Sequence, residues 1–104
     1  MKKISICIPV YNEEKYVILL LQKLLAVDFS AHWYACEIII VNDWSTDTSE
    51  SLILDFIKTQ PWWLFHYSKQ KNQGKWAAIK TAFAQATWDI MVIQDADLEY
   101  EPND

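Results

Sequence analysis

The sequence predicts an α/β fold with a mostly parallel β-sheet and helices on both faces. Short apolar runs, several of them β-branched, alternate along the chain with longer segments in which apolar residues recur at helical spacing. The connections are of ordinary length, and a βαβαβαβ order of this kind favours a parallel sheet covered on both sides. A polar segment follows each apolar run, which places each strand end next to a loop.

The individual elements follow from periodicity and from the residues that start and stop helices. Glu13 and Glu14 suit the first turn of the first helix, and Pro61 ends the second. We expect four side chains of the third helix to face the sheet: Ala78, Ala82, Phe83 and Ala86. The predicted strands cover residues 4–9, 37–41, 64–67 and 90–93, and the predicted helices cover residues 13–26, 48–59 and 75–86.

Length and charge limit the functions that the chain can have. Its 104 residues suit one domain, and a formal net charge of −5 argues against binding to nucleic acid. No stretch reaches the roughly 18 apolar residues of a membrane span, and the apolar run after Met1 is too short for a signal peptide. We therefore expect a cytoplasmic domain with no membrane segment of its own.

Four polar segments are expected to meet at one edge of the sheet. They are residues 11–13, 42–47, 71–75 and 95–97, and each follows a predicted strand. Ligands of open α/β sheets bind outside the carboxyl ends of the strands. This convergence is stronger evidence for a binding site than any one segment.

Asp95 and Asp97 form the sharpest candidate site. In extended backbone, residues two apart point to the same side, so both carboxylates face one way. Two such carboxylates suit Mg²⁺ or Mn²⁺, which bind one or two of them together with phosphate oxygens of a substrate. The alternative is a pair of solvated loop acids or an Asp that caps a turn.

Asp43 follows the second strand, where its carboxylate can accept hydrogen bonds from a nucleoside base or ribose. The alternative is capping of the following helix by Asp43, Ser45 or Asp47. Lys75 begins the third helix after Gly74, where it can meet a phosphate at the helix N-terminus. A solvated lysine is an equally good interpretation of Lys75.

Four segments together resemble the family 2 glycosyltransferases of the GT-A fold. They are residues 8–14 (IPVYNEE), 41–47 (VNDWSTD), 71–75 (KNQGK) and 94–102 (QDADLEYEP). The closest resemblance is to the branch that transfers mannose or glucose to dolichol or polyprenol phosphate, and it covers nearly the whole chain. It implies the Rossmann-like nucleotide-binding half of a GT-A fold.

The resemblance also implies a reaction and a set of site residues. The reaction is inverting, metal-dependent transfer from a GDP- or UDP-linked sugar, with polyprenyl phosphate as a candidate acceptor. The cation, Mg²⁺ or Mn²⁺, would stabilise the departing nucleoside diphosphate. The expected metal ligands are Asp95, Asp97 and Glu99. The expected donor-binding residues, with those singled out above, are Pro9, Tyr11, Glu13, Asp43, Lys75, Asp95 and Ala96.

The family continues well beyond the length of this chain. We therefore expect residues 1–104 to be the N-terminal, nucleotide-sugar-binding part of a longer protein that reaches the membrane face through other parts. The catalytic base is unknown and expected elsewhere, so the chain should be inactive alone. A non-catalytic nucleotide- or partner-binding module is the alternative. A nucleotidylyltransferase fits less well, because residues 11–14 are acidic where that class has a basic, Gly-rich loop.

Tryptophan stands where the family usually has glycine at Trp44, Trp76 and Trp88. At Trp44 the loop should pass close to the nucleotide, so an indole there would crowd the pocket. The chain has six tryptophans and one glycine, together seven, which is the number that an average glycine usage of about 7% predicts. Since some bacterial lineages read UGA as glycine, we hypothesise that Trp stands in for Gly. The alternative is genuine tryptophan in an unusual homologue.

Overall fold

The chain alternates four strands with three helices in the computed structural model, which describes residues 2–27, 34–71, 73–85 and 89–94. The predicted order of elements is confirmed. Among the described residues, none of the three helices has both the length and the apolar character that crossing a bilayer requires. In chain order the elements are β1 Lys2–Val10, α1 Val17–Leu25, β2 Tyr34–Asn42, α2 Ser49–Lys58, β3 Leu64–Lys69, α3 Lys75–Gln85 and β4 Ile90–Ile93.

The four strands form one parallel sheet in the order β3-β2-β1-β4. The chain runs outward from β1 to β3 and then returns, through α3, to place β4 on the other side of β1. Ile6 pairs with Ile38 in β2 and with Val92 in β4, so the central strands are in register along their apolar segments. All carboxyl ends therefore lie at the same edge, as the sequence predicts.

Helices cover both faces of the sheet, because successive residues of β1 and β2 point to opposite sides. Alternate residues such as Ile6 and Ile38 pack with α1 and α2, whereas Cys7 and Ile39 pack with α3. On the first face the buried residues are Ile4, Ile6, Ile8, Val10, Val17, Leu20, Leu21, Ile38, Ile40 and Ile53. On the second they are Cys7, Ile39, Val41, Ala78 and Ala82. The α/β prediction with helices on both faces is thus confirmed.

Two details of the helices differ from the prediction. Helix α1 begins at Val17 and not at Glu13, because Tyr16 has a non-helical backbone with φ of −121°. The Glu13 carbonyl accepts the backbone N–H groups of Tyr16 and Val17 in the turn that leads into the helix. Phe83 is 46% exposed and Ile79 is buried in its place. Phe83 lies about 100° further round α3 than Ala82, which takes it beyond the stripe that faces the sheet.

Candidate functional site

The loops that follow β1 and β2 are joined by hydrogen bonds at the carboxyl edge of the sheet. The Asn12 carboxamide oxygen accepts the Thr46 backbone N–H at 2.7 Å, and the Asn12 N–H donates to Ser45 Oγ at 3.0 Å. Asn12 adopts a left-handed backbone with φ of 51°, which asparagine tolerates better than most residues. Each loop therefore stabilises the conformation of the other, through hydrogen bonds between segments that are distant in the sequence.

Acidic side chains from both loops satisfy the free N–H groups at the start of α2. Glu14 Oε2 accepts the Thr48 N–H at 3.0 Å, and Asp47 Oδ1 accepts the Ser49 N–H at 2.9 Å. The Thr48 hydrogen bonds lower the pKa of Glu14 below its ordinary value. The N-cap residue of α2 is Thr48, which is none of the three predicted capping candidates. Asp47, one residue earlier, still accepts the Ser49 N–H, while the carboxylate of Asp43 accepts hydrogen bonds near α3.

Asp43 orders the turn that leads into α3. It is 4% exposed, and its carboxylate accepts the backbone N–H groups of Gln73 at 2.7 Å and Gly74 at 2.8 Å. The Gln70 amide donates a third hydrogen bond at 3.1 Å. Burial raises the pKa of Asp43, but these three hydrogen bonds outweigh burial and leave the pKa below its ordinary value. The carboxylate is therefore ionised at neutral pH.

Sequence reasoning missed Gln70, which links Asp43 to α3. Its side-chain oxygen accepts the Thr81 hydroxyl at 2.7 Å while its amide donates to Asp43. The only sequence signal was its position a few residues after the third apolar run, and it directly follows the observed strand β3. Because its two partners lie 27 and 11 residues away, spacing alone gave no reason to select it.

A pocket of about 200 Å³ opens where β1, β2 and α3 meet. All five of the described residues that were predicted to bind a donor contribute to its wall. Val10 and Ala78, which were not predicted as site residues, complete it with apolar surface. The lining residues are Pro9, Val10, Tyr11, Glu13, Asp43, Lys75 and Ala78.

The chemistry of this pocket suits a ligand with an aromatic or sugar part and an anionic part. Tyr11 presents a half-exposed ring, Glu13 and Asp43 supply carboxylate oxygens, and Lys75 supplies a cation. Carboxylates accept hydrogen bonds from ring N–H and hydroxyl groups, and an ammonium group attracts phosphate. The volume is smaller than the roughly 300–1,000 Å³ of a complete ligand site, so it fits a portion such as a nucleoside.

The predicted metal ligands Asp95, Asp97 and Glu99, together with Ala96, lie outside the described residues. Their number and chemistry fit a hard divalent cation, since all three are carboxylates. The last described residue before them is Gln94, whose N–H donates to the Cys7 carbonyl at 2.9 Å. Within the described ranges, His, Cys, Asp and Glu side chains form no group of three or more that could hold a metal ion.

Trp44 lies at the end of β2 in a left-handed backbone conformation, with φ of 60°. A left-handed conformation costs a residue with a Cβ roughly 1–2 kcal/mol. The indole is 44% exposed and the Lys69 ammonium lies 4.5 Å from its ring centroid. The ring therefore contacts the side chain of Lys69, the last residue of β3. Trp44 is not one of the seven residues that line the pocket described above.

A model of the family described as glycosyl transferase family 2 matches residues 5–104. The undecaprenyl-phosphate 4-deoxy-4-formamido-L-arabinose transferase of Pectobacterium carotovorum is 33% identical over 106 residues, and that of Photorhabdus laumondii is 32% identical over 111 residues. Each alignment covers 100% of this chain and 32% of the relative. The chain thus spans about a third of the length of these curated relatives.

Solved structures share the fold. The mannosyltransferase PcManGT from Pyrobaculum calidifontis, in complex with GDP-Man and Mn²⁺, is 26% identical with a TM-score of 0.82, over 92% of this chain and 28% of that one. S. aureus TarS 1-349 in complex with UDP is 28% identical with a TM-score of 0.76, over 91% of this chain and 27% of that one. The α/β architecture described above therefore matches that of GT-A glycosyltransferases.

Proposed function

The chain belongs to glycosyl transferase family 2, and on that premise we propose that it is the donor-binding part of an inverting, metal-dependent glycosyltransferase. The observation that carries this proposal is the pocket at the carboxyl edge of the sheet. Five residues that the sequence singled out, from three separate segments of the chain, line this one pocket: Pro9, Tyr11, Glu13, Asp43 and Lys75. We would not expect a surface depression without a binding role to be lined by all five of these residues.

The nucleoside of the donor occupies this pocket. The ionised carboxylate of Asp43 and the carboxyl oxygens of Glu13 accept hydrogen bonds from the base or ribose, and the Tyr11 ring packs beside the nucleoside. Lys75, at the start of α3, faces the phosphates. The apolar surface of Val10 and Ala78 excludes water from the inner wall, which strengthens these hydrogen bonds.

The diphosphate lies beyond the pocket, toward the segment that follows β4. Asp95 and Asp97, with Glu99, would hold Mg²⁺ or Mn²⁺ there. When bound, such a cation neutralises the charge that develops on the departing nucleoside diphosphate. The similar mannosyltransferase structure contains GDP-Man and Mn²⁺, which supports this assignment. An acceptor oxygen attacks the anomeric carbon of the sugar as the bond between this carbon and the donor's phosphate oxygen breaks. A single displacement of this kind inverts the configuration at the anomeric carbon.

The acceptor is a polyprenyl phosphate. The similar proteins from Pectobacterium carotovorum and Photorhabdus laumondii are undecaprenyl-phosphate 4-deoxy-4-formamido-L-arabinose transferases, which supports this acceptor. An acceptor of this kind would bring the parent protein to the cytoplasmic face of a membrane. Since the chain spans 32% of the length of those relatives, we expect the catalytic base and the acceptor site in other parts of the parent protein. The 104-residue chain should bind the donor without transferring the sugar.

Calorimetric titration of the chain with UDP and GDP, with and without Mn²⁺, tests donor binding. We expect either UDP or GDP to bind. Mn²⁺ should lower the dissociation constant on the order of tenfold, which corresponds to about 1.4 kcal/mol of binding free energy. Asp97→Asn should remove the effect of Mn²⁺. Asp55→Asn is the matched control, because Asp55 is an exposed carboxylate on α2. Absence of binding by the unaltered chain to either nucleotide with Mn²⁺ contradicts the proposal.

Transfer assays on the full-length parent protein then separate an enzyme from a binding module. We expect release of nucleoside diphosphate that depends on both a nucleotide sugar and a polyprenyl phosphate. A parent protein that binds the nucleotide sugar but releases no diphosphate with any lipid phosphate would favour the non-catalytic alternative.

A further inference from the structure

A chain of hydrogen bonds crosses the sheet edge from β3 to the loop after β1. The Tyr67 hydroxyl donates to Glu50 Oε2 at 2.8 Å and accepts from the Asn42 amide at 3.0 Å. The Asn42 carboxamide oxygen accepts both the hydroxyl and the N–H of Ser45, at 2.6 and 3.0 Å. Ser45 Oγ in turn accepts the Asn12 N–H at 3.0 Å. Two loops, two strands and helix α2 are thus connected through side chains.

All of these hydrogen bonds have the same donor-to-acceptor direction. The Ser45 hydroxyl donates to the Asn42 carboxamide oxygen, the Asn42 amide donates to the Tyr67 hydroxyl, and that hydroxyl donates to Glu50. Asn42 has no exposed surface, so water cannot replace a partner that is lost. Burial raises the pKa of Tyr67 to about 12, and the Glu50 hydrogen bond and charge act in the same direction. The phenol therefore keeps its proton at neutral pH.

Tyr67 lies on the face of the sheet opposite the pocket. It packs against the core formed with α1 and α2, whereas the pocket is lined by Ala78 of α3. These hydrogen bonds nevertheless include residues next to the pocket in two segments. Asn42 directly precedes Asp43, and Asn12 lies between Tyr11 and Glu13. A shift of Asn42 would therefore displace pocket residues in the loops after β1 and β2.

Resting on the donor-binding function proposed above, we infer that Tyr67 is a positioning residue: through Asn42 and Ser45 it fixes the loop that carries Tyr11 and Glu13 against Asp43. It touches neither the nucleotide nor the pocket wall in this arrangement. Its contribution is to keep the buried Asn42 amide in the one orientation that presents an acceptor to Ser45.

Removal of the hydroxyl by Tyr67→Phe gives the first test. The Asn42 amide then lacks an acceptor, and we expect UDP or GDP to bind about five- to tenfold more weakly in the presence of Mn²⁺. The matched control is Tyr34→Phe, because Tyr34 begins β2 at the opposite end of the sheet and is also partly buried. Binding by Tyr67→Phe that equals binding by Tyr34→Phe overturns the inference.

Reversal of the proton direction separates positioning from general stability. In Asn42→Asp the Tyr67 hydroxyl lies between two carboxylates and can donate its one hydrogen bond to only one of them. Nucleotide affinity should therefore fall at pH 7. It should recover as the pH is lowered and one of the two carboxylates becomes protonated. The other charged group at this link is Lys69, 3.3 Å from Glu50. Adding Glu50→Gln supplies a donor at that end, and the double variant should regain affinity at pH 7 without the pH dependence. A double variant that binds no better than Asn42→Asp contradicts the inference.

Amide hydrogen exchange without nucleotide keeps the two proposals apart. In Tyr67→Phe the Asn12 and Glu13 amides should exchange faster, while amides at the centre of β1 stay protected. If the unaltered chain binds no nucleotide, the donor-binding function fails, and the exchange rates still decide whether Tyr67 fixes the loop. Unchanged exchange at Asn12 and Glu13 overturns the positioning role even if the nucleotide binds.

Discussion

The carboxylate of Asp43 accepts the backbone N–H of Gly74 at 2.8 Å, so the end of β2 determines where α3 begins. Gly74 has φ of +94°, a conformation that favours glycine, and α3 starts at the next residue, Lys75. Asp43 and Lys75 both line the pocket. One carboxylate thus shapes the pocket and also provides part of its wall.

Asp43→Asn should destabilise the chain by about 2 kcal/mol. The amide can accept one of the N–H groups of Gln73 and Gly74, but its own NH₂ group then faces the other. Urea unfolding followed by circular dichroism measures this change. Asp55→Asn on the exposed face of α2 is the control and should stay within about 0.5 kcal/mol of the unaltered chain. Equal stability of the two variants would show that the Asp43 hydrogen bonds contribute little.

The same carboxylate predicts a loss of stability in acid. The pKa of Asp43 is lowered in the folded chain, so its contribution is present above the unfolded value of about 3.9 and is lost as the pH falls through the lower folded value. Unfolding free energies measured between pH 6 and pH 2, a range set to bracket about pH 3.9, should fall less steeply in Asp43→Asn than in the unaltered chain. Parallel curves for the two proteins would contradict the assignment.

The strands were predictable because their signal is local. Residues 38–41 form a continuous apolar run within β2, which is covered on both faces. The predicted bounds of β4 equal the observed ones, Ile90–Ile93. The strand order could not be predicted in this way, because no residue in or near β4 indicates whether β4 pairs with β1 or with the free edge of β3. That choice depends on α3 packing across β1 and β2.

Contacts between distant segments explain what sequence reasoning did not find. Glu13 and Glu14 suggested the first turn of α1, but Glu14 accepts hydrogen bonds from Thr48 at the start of α2. The five described residues that are predicted to bind the nucleotide sugar could be selected from their positions at the ends of strands, because the carboxyl ends of parallel strands share one edge. Their roles in binding stay predictions, as do those of the metal ligands beyond Gln94.

His66→Ala should destabilise the chain by about 1–3 kcal/mol. Glu37 is 1% exposed, and its carboxylate accepts Ser5 Oγ at 2.6 Å and contacts His66 Nε2 at 2.8 Å. Removing the imidazole leaves one oxygen of a buried carboxylate without its partner. His66→Gln, which keeps an N–H donor, should cost less in the same urea experiment. Equal losses for glutamine and alanine would show that the contact between His66 and Glu37 contributes little.

The hypothesis that tryptophan stands in for glycine makes a genetic prediction. The gene should carry UGA at the six tryptophan codons, and proteins from the source cell should contain glycine there by mass spectrometry of tryptic peptides. The structure supports this at Trp44, which has φ of 60°. Trp33 and Trp88 lie outside the described residues. Ordinary UGG codons at these positions would end the hypothesis.

Trp44 also allows the cost of its backbone conformation to be measured. Trp44→Gly and Trp44→Ala both remove the indole and its contact with Lys69, but only alanine retains a Cβ at φ of 60°. We therefore expect the glycine variant to be more stable than the alanine variant by about 1 kcal/mol. Chemical unfolding of the two variants side by side measures this difference.

Trp76 provides the control of opposite sign for that comparison. It lies in the first turn of α3, is 65% exposed, and is not among the described residues with a left-handed backbone. Alanine is favoured over glycine by up to about 1 kcal/mol within a helix, so Trp76→Ala should be the more stable of the second pair. If glycine were favoured over alanine at both positions, or at neither, the left-handed backbone of Trp44 would not account for the difference.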